Sequence, residues 1–303
     1  MPLKLQQNLP AIELLKKEYI FVEEFSDISG QDIRPLRVVV LNLMPLKITT
    51  ETDIIRLLSN TQLYIEIDWM KIKNHTSKNT SAEHINTFYK DLEALKDRHY
   101  DGMIITGAPV ETLDFHDVTY WDELTRIFDW ARANVGSTFY ICWAAQAALH
   151  HFYGVPKYTL PAKMFGVFTH TMNEPHLPIF RGMDDAFFAP HSRHTAIYRE
   201  DILKVPELTL LSESKEAGVY MVLSRKGRDF YITGHSEYAP HRLHDEYIRD
   251  VNKGLPITVP VNYYPADDVS QPPVVRWRSH ANLLFTNWLH YYVNKADCFF
   301  NTQ

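Results

Sequence analysis

The stretch S-T-F-Y-I-C-W-A-A-Q-A-A-L-H-H-F-Y-G, from Ser137 to Gly154, changes character at Cys142. Ahead of the cysteine lies a short apolar run bounded by Gly136. Behind it comes an Ala-rich, helix-favouring run closed by Gly154. A cysteine at a strand-to-helix turn sits on a tight bend, with its sulfur outward and a helix N-terminus beneath it. The unpaired N–H groups and dipole of that terminus favour the thiolate, the nucleophilic form. Cysteine is also among the most buried residue types, so a small core filler is the plainer reading. The choice turns on whether the rest of the chain supplies a base, an orienter and a substrate.

The preceding sequence repeats the strand–helix theme. Leu36 to Leu43 (L-R-V-V-V-L-N-L) is β-branched and almost continuously apolar, as a strand covered on both faces should be. Thr49 or Thr50 can cap a helix through Asn60, and Gln62 to Met70 returns to strand character. Beyond a polar loop, Lys73 to Ser81, a single helical stripe carries Ile85, Phe88, Tyr89, Leu92 and Leu95. Gly102 to Thr106 reads as another buried strand, broken by Gly107-Ala108-Pro109. Tyr120, Leu124, Ile127, Phe128 and Ala131 then fall at helical spacing. Strand and helix alternating four times predict an α/β fold, a doubly wound, mostly parallel sheet flanked by helices. Ligands of such sheets bind beyond the carboxyl ends of the strands, where both the 107–111 loop and Cys142 fall.

The later half is less regular. Residues 155–200 are rich in Pro, His and aromatics, with short strands expected near Ala186 to Ala189. Leu208 to Leu211, Val219 to Ser224 and Phe230 to Thr233 read as a meander, with Lys226-Gly227 turning a hairpin. A helix from about His241 to Asn252 follows Pro240. After a proline-rich passage, a last helix aligns Ala281, Leu284, Phe285, Trp288, Leu289 and Tyr292. Residues 1–34, with an amphipathic piece from Ala11 to Glu18, read as an arm laid on the main body. No repeat or linker divides the chain, so 1–303 reads as one domain.

At 303 residues and 45% hydrophobic composition the chain can bury a large core. A net charge of −6 and a pI near 6.2 argue against a nucleic-acid or anionic-membrane partner. No apolar run reaches membrane-spanning length, and the N-terminus lacks a signal-type apolar core. Two cysteines, Cys142 and Cys298, could form one disulfide but make no disulfide framework, so a reducing cytoplasm is the expected compartment. Histidines are plentiful, but neither His191-x-x-His194 nor His150-His151 has the spacing of a metal site, and no metal is expected. No phosphate-cradling glycine motif occurs, and no cofactor is expected.

The strand ending at Thr233 runs into Gly234-His235-Ser236-Glu237, a second set of polar groups at a strand's carboxyl end. In an extended segment residues two apart share a side, so His235 and Glu237 could touch. An imidazole that takes the thiol proton, oriented by a carboxylate, is what a cysteine nucleophile requires. Alone, H-x-E is as well read as a surface pair; beside a strand-end cysteine it gains meaning.

Strand-Cys-helix followed by strand-His-x-Glu resembles the class I glutamine amidotransferase-like fold, a flavodoxin-like architecture. The local sequences L-N-L-M-P-L-K (41–47), T-G-A-P-V-E (106–111), Y-I-C-W-A-A-Q-A-A-L (140–149), K-M-F-G-V-F (163–168), P-H-S-R (190–193) and G-H-S-E-Y (234–238) resemble the homoserine O-acyltransferases of methionine biosynthesis. The resemblance implies ping-pong acyl transfer. Cys142 would take an acyl group from acyl-CoA, and His235, oriented by Glu237, would deprotonate the hydroxyl of L-homoserine. Lys163, Ser192 and Arg249 would bind substrate, and the enzyme would be a homodimer. Without the family, Arg249 reads as a helix-surface salt bridge, and Lys163 and Ser192 as solvated loop residues. The N–H of Trp143 and one from Gly107 or Ala108 are candidate oxyanion donors. Lys47 is either a CoA contact or an ordinary solvated lysine.

Position 111, with Ser192, is implied to set the acyl group: a small residue at 111 goes with succinyl transfer, glutamate with acetyl transfer. Glu111 therefore points to acetyl-CoA as co-substrate. The physics agrees, because a succinyl carboxylate would meet a second carboxylate in a partly desolvated pocket. A solvent-facing Glu after a turn is the plainer alternative. Three rival functions stand beside this one. Succinyl-CoA could be the donor. A glutamine amidotransferase would use the same triad, but its usual elbow is G-x-C-x-G, and Tyr140 and Ala144 occupy those glycine positions here. A redox sensor would need the cysteine but not the base.

Overall fold

The computed structural model describes residues 3–18, 20, 22–24, 34–73 and 79–295. The first half of the chain forms β1 (Leu3–Leu5), α1 (Ala11–Lys17), β2 (Val22–Glu24), β3 (Leu36–Leu41), α2 (Lys47–Leu58) and β4 (Ile65–Met70). Then come α3 (Ala82–Phe88), β5 (Tyr89–Lys90), α4 (Leu92–Leu95), β6 (Tyr100–Ile105), α5 (Trp121–Asn134), β7 (Val135–Ile141) and α6 (Trp143–Tyr153). The second half adds β8 (Tyr158–Met172), β9 (Ala186–Ala196), α7 (Arg199–Leu203), β10 (Thr209–Ser214), β11 (Gly218–Ser224), β12 (Asp229–Ile232), α8 (Arg242–Asn252) and α9 (Arg278–Trp288).

These strands join one sheet in the order β2-β1-β4-β3-β6-β7-β12-β11-β10-β8-β9, with β5 beside β4. Pairing is parallel from β2 to β12. It is antiparallel from β12 to β9. Each central parallel strand is buried on both sides, and alternation along it divides the core in two. Val38 and Val40 of β3 pack with α1, α2 and α9, whereas Val39 and Leu41 face the layer of α5 and α6. The fold is a doubly wound α/β sheet. The Ala-rich sequence of α6 lets that helix lie close on the sheet: Ala144, Ala145, Ala147 and Ala148 have no exposed surface. Its end at Gly154 is a left-handed cap with φ of 67°.

Several elements depart from the sequence expectation, each for a local reason. Helix α2 begins at Lys47, and Thr50 lies inside it with its hydroxyl bonded back to Leu46 O at 3.1 Å. The expected stripe from Ile85 to Leu95 is two helices: Tyr89 and Lys90 extend to pair with Trp69 and Met70, and the Asp91 side chain caps Ala94 N at 3.1 Å. Residues 155–200 hold long strands. β8 and β9 make an antiparallel ribbon at the sheet's edge, where Pro190 is tolerated and Pro161 sits in a register break. The last helix is regular only to Trp288 and runs on as a π-helical turn, Leu289–Val293.

The described parts of residues 1–34 join the sheet as well as packing on the body. β1 pairs with β4, β2 extends the sheet, and α1 packs on α2. Residues 1–2, 19, 21 and 25–33 of that arm, the middle of the 73–81 loop and Cys298 lie outside the described residues.

Candidate active site

Three adjacent strands deliver the site. β7 carries Cys142 just past its carboxyl end, β6 on one side ends in the Gly107 loop, and β12 on the other leads to His235. Cys142 stands between strand and helix with φ 52° and ψ −115°, a strained conformation for a non-glycine residue that costs on the order of 1–3 kcal/mol. The bend is held on both sides. Cys142 N–H donates to Ile232 O of β12 at 2.6 Å, and its carbonyl accepts from Ala145 and Gln146 of α6 at 3.1 and 3.3 Å. The residue is 6% exposed, buried as the plainer reading expected, yet it faces a base rather than apolar filler.

His235 Nδ1 and Glu237 Oε1 are 2.6 Å apart, and the imidazole lies beside Cys142 across Gly107. The contact arises through a turn rather than an extended strand: Tyr238 N–H donates to His235 O at 3.2 Å. Burial works against charge on His235, but the Cys142 thiolate and the Glu237 carboxylate outweigh it and hold the imidazolium well above the ordinary range. Gly107 closes on this pair: a Cβ there would lie 3.3 Å from Cys142 Cβ and 3.6 Å from His235 Cε1. Thr106 fixes the loop by accepting from Leu43 N–H at 2.8 Å and donating to Gly107 O at 3.2 Å. Trp143, the first residue of α6, has no acceptor within the helix for its N–H.

A second group lies one ring away. Tyr238 stacks on His235 at 4.2 Å and donates its hydroxyl to Glu246 Oε1 at 2.8 Å. The other Glu246 oxygen accepts from Ser192 Oγ and from Lys163 Nζ, the former at 2.5 Å and the latter at 3.4 Å. Lys163 and Ser192 are therefore partnered, not solvated. Arg249 lies at the margin, half-exposed, with Nε bonded to Asp250 at 2.7 Å. Glu111 is not free in solvent: its carboxylate accepts from His194 N–H at 2.9 Å and Thr195 Oγ1 at 3.4 Å.

The model of the family described as "Homoserine O-succinyltransferase" matches residues 2–299. The chain belongs to the homoserine O-acyltransferase family. A homoserine O-acetyltransferase of Parabacteroides distasonis is 71% identical over 299 residues, 99% of this chain and 96% of the relative. One of Bacteroides thetaiotaomicron is 67% identical, covering 97% and 96%. Among solved structures, a Thermotoga maritima glutamine amidotransferase aligns with TM-score 0.57 at 11% identity over 86% of this chain and 99% of its own. A glutamine amidotransferase of Methylobacillus flagellatus aligns with TM-score 0.51 at 12% identity, covering 85% and 95%. The fold is thus amidotransferase-like, while the sequence is that of the acyltransferase family.

Two charged residues of this acyltransferase that the fold takes out of solvent escaped the sequence reading. Glu246 was hidden in D-E-Y-I-R-D as one more surface charge, although its i,i+3 spacing puts it on the same helix face as Arg249. Arg193 is 2% exposed and bonds only neutral acceptors. Lys47 corrects the solvated-lysine reading. It is buried at the start of α2 with Nζ on Asn42 O, and burial lowers its pKa to about 8 against the pull of Glu51. Its neighbours form a cluster of Asn42, Glu51 and Tyr89.

Proposed function

We propose that the chain transfers the acetyl group of acetyl-CoA to the hydroxyl of L-homoserine through a thioester on Cys142. The observation that carries this reading is the strained Cys142 elbow with His235 beside it and Glu237 bonded to the imidazole from behind. The thiolate attacks the thioester carbonyl, the new C–S bond forms, and the bond to CoA sulfur breaks. The His235 imidazolium gives its proton to the departing CoA thiolate. Neutral His235 then takes the homoserine hydroxyl proton, the oxygen attacks the acyl carbonyl, and Cys142 leaves as thiolate beside a renewed imidazolium. The N–H groups of Trp143 and of Gly107 or Ala108 receive the oxyanion.

Homoserine is a zwitterion. Arg249 suits its carboxylate, and Glu246, tied to Lys163 and Ser192, suits its ammonium. Glu111 supports acetyl over succinyl, as do the names of the near relatives. Acetyl-CoA serves as co-substrate and no further cofactor is invoked. We read the protein as a cytoplasmic homodimer, in line with its two cysteines and the exposed apolar residues Ile248, Val251 and Leu255 at the surface of α8 and its end.

The test offers acetyl-CoA and succinyl-CoA separately, without homoserine, and follows the Cys142 peptide by mass spectrometry. Acetyl label that disappears on adding homoserine is expected. Succinyl label alone would overturn the acetyl assignment, and no label with either donor would overturn the acyl-enzyme.

A further inference from the structure

Tyr238 closes the turn that carries His235 and Glu237 and is 7% exposed. Its ring lies on the His235 imidazole, with centroids 4.2 Å apart and planes 20° from parallel. Its hydroxyl donates to Glu246 Oε1 of α8 at 2.8 Å. A phenol is rigid between ring face and hydroxyl, so the two contacts keep a fixed separation. The residue itself is pinned. Its N–H donates to His235 O at 3.2 Å, and its carbonyl accepts from Nε1 of the buried Trp277 at 2.9 Å. The Arg242 guanidinium lies 5.6 Å from the ring centroid and is held in turn by Asp53 at 2.6 Å. Burial, then the charges of Glu246 and Glu237, keep the phenol protonated well above its ordinary range, so it stays a donor.

Packing alone accounts for a ring at this position, since Phe165, Leu243 and Trp277 share its apolar cluster. It does not account for the hydroxyl, because a phenylalanine would pack as well. The acceptors of Glu246 do. A carboxylate offers about four lone-pair positions. Ser192 Oγ and Lys163 Nζ occupy those of Oε2, and Tyr238 occupies one on Oε1. Among the described residues no second donor meets Oε1, and the Glu246 side chain is 12% exposed, so a ligand can reach it. The open position is therefore on the oxygen that Tyr238 fixes.

We propose that Tyr238 is a positioning residue for homoserine: one rigid ring sets the ammonium acceptor, Glu246 Oε1, at a constant offset from the base, His235. The inference rests on reading the chain as a homoserine acyltransferase in which Glu246 receives the ammonium. The homoserine hydroxyl must come within hydrogen-bond reach of His235, and a misplacement of about 1 Å can cost about 10²-fold in rate. A short carbon chain joins that hydroxyl to the amino group, so fixing the amino group against the imidazole places the hydroxyl.

The test is Tyr238→Phe, which keeps the ring on His235 and deletes only the hydroxyl. The burst of CoA released from acetyl-CoA without homoserine should keep its wild-type size and rate, which also shows that the variant is folded. kcat/KM for homoserine should fall about tenfold or more, as for loss of a hydrogen bond to a charged group. Added to Glu246→Ala, Tyr238→Phe should cost little further, because no carboxylate is left to place. An unchanged kcat/KM for homoserine overturns the proposal. So does an equal fall in burst rate and kcat/KM, the mark of a merely structural tyrosine, and so do additive losses in the double variant. Absence of a CoA burst in the wild type would instead strike the acyl-transfer reading.

Discussion

His235 Nδ1 lies 2.6 Å from Glu237 Oε1, a contact made within a single turn by residues two apart in sequence. The acid–base unit is therefore local and needs no other element to assemble it. Burial opposes charge on His235, and the thiolate and Glu237 raise its pKa well above the ordinary value despite that. A group so raised keeps its proton as pH rises until its own folded value is reached, and acylation uses that proton on the CoA thiolate. Glu237→Gln removes one of the two anions, so the alkaline fall of CoA release should begin at lower pH. Its kcat/KM should drop by about 10²–10⁴. A pH–rate profile of CoA release from both proteins checks both statements.

Glu246 accepts from Tyr238, Ser192 and Lys163 and touches neither Cys142 nor the His235–Glu237 bond. Its removal should therefore separate the two half-reactions. Glu246→Gln is expected to raise the KM for homoserine by about tenfold or more, since a charged partner is worth about 1.5–3 kcal/mol. The first burst of CoA release, which precedes homoserine binding, should keep its rate. Rapid-mixing measurement of that burst beside steady-state kinetics distinguishes this from general damage.

What the sequence displayed and what it concealed divide along physical lines. Buried parallel strands such as Val38–Leu41 and the Cys142 run announce themselves, because two-sided burial leaves near-continuous apolar sequence. Cys142, His235 and Glu237 were legible because each follows such a strand at its carboxyl end. The β8–β9 ribbon was not, since Pro161 and Pro190 argue against strands unless one knows they lie at an edge or a break. Tyr89 and Lys90 were drawn into a helical stripe, although a tertiary partner, β4, claims them. Arg193 and Glu246 were hidden because a charged residue reads as surface until the fold buries it.

Gly234 shows how tightly the base is seated. A Cβ at this position would lie 2.8 Å from Tyr220 Cε2, 3.0 Å from His191 Nε2 and 3.0 Å from Pro190 O. Tyr220 is fully buried, and Pro190 O already holds His235 N–H at 2.8 Å, so neither yields cheaply. Gly234→Ala should destabilise the protein by about 1–3 kcal/mol. It should also reduce kcat by displacing His235. Thermal unfolding read beside steady-state turnover tests both, and a wild-type melting temperature would refute the packing argument.

Glu111 carries the choice of acyl group in the proposed reaction, and its geometry says how. His194 N–H and Thr195 Oγ1 hold the carboxylate at the end of β9. An acetyl methyl meets no repulsion there, but a succinyl carboxylate would add a second negative charge to a site already holding Glu111 and the Cys142 sulfur. Glu111→Gly removes the first charge and vacates space. The ratio of kcat/KM for succinyl-CoA to that for acetyl-CoA should rise by about ten- to a hundredfold. Acetylation of Cys142 should persist, because the triad is untouched. If the ratio does not move while acetyl transfer survives, the acyl group is chosen elsewhere in the pocket, and Ser192, which shares Glu246 with Lys163, is the next residue to exchange.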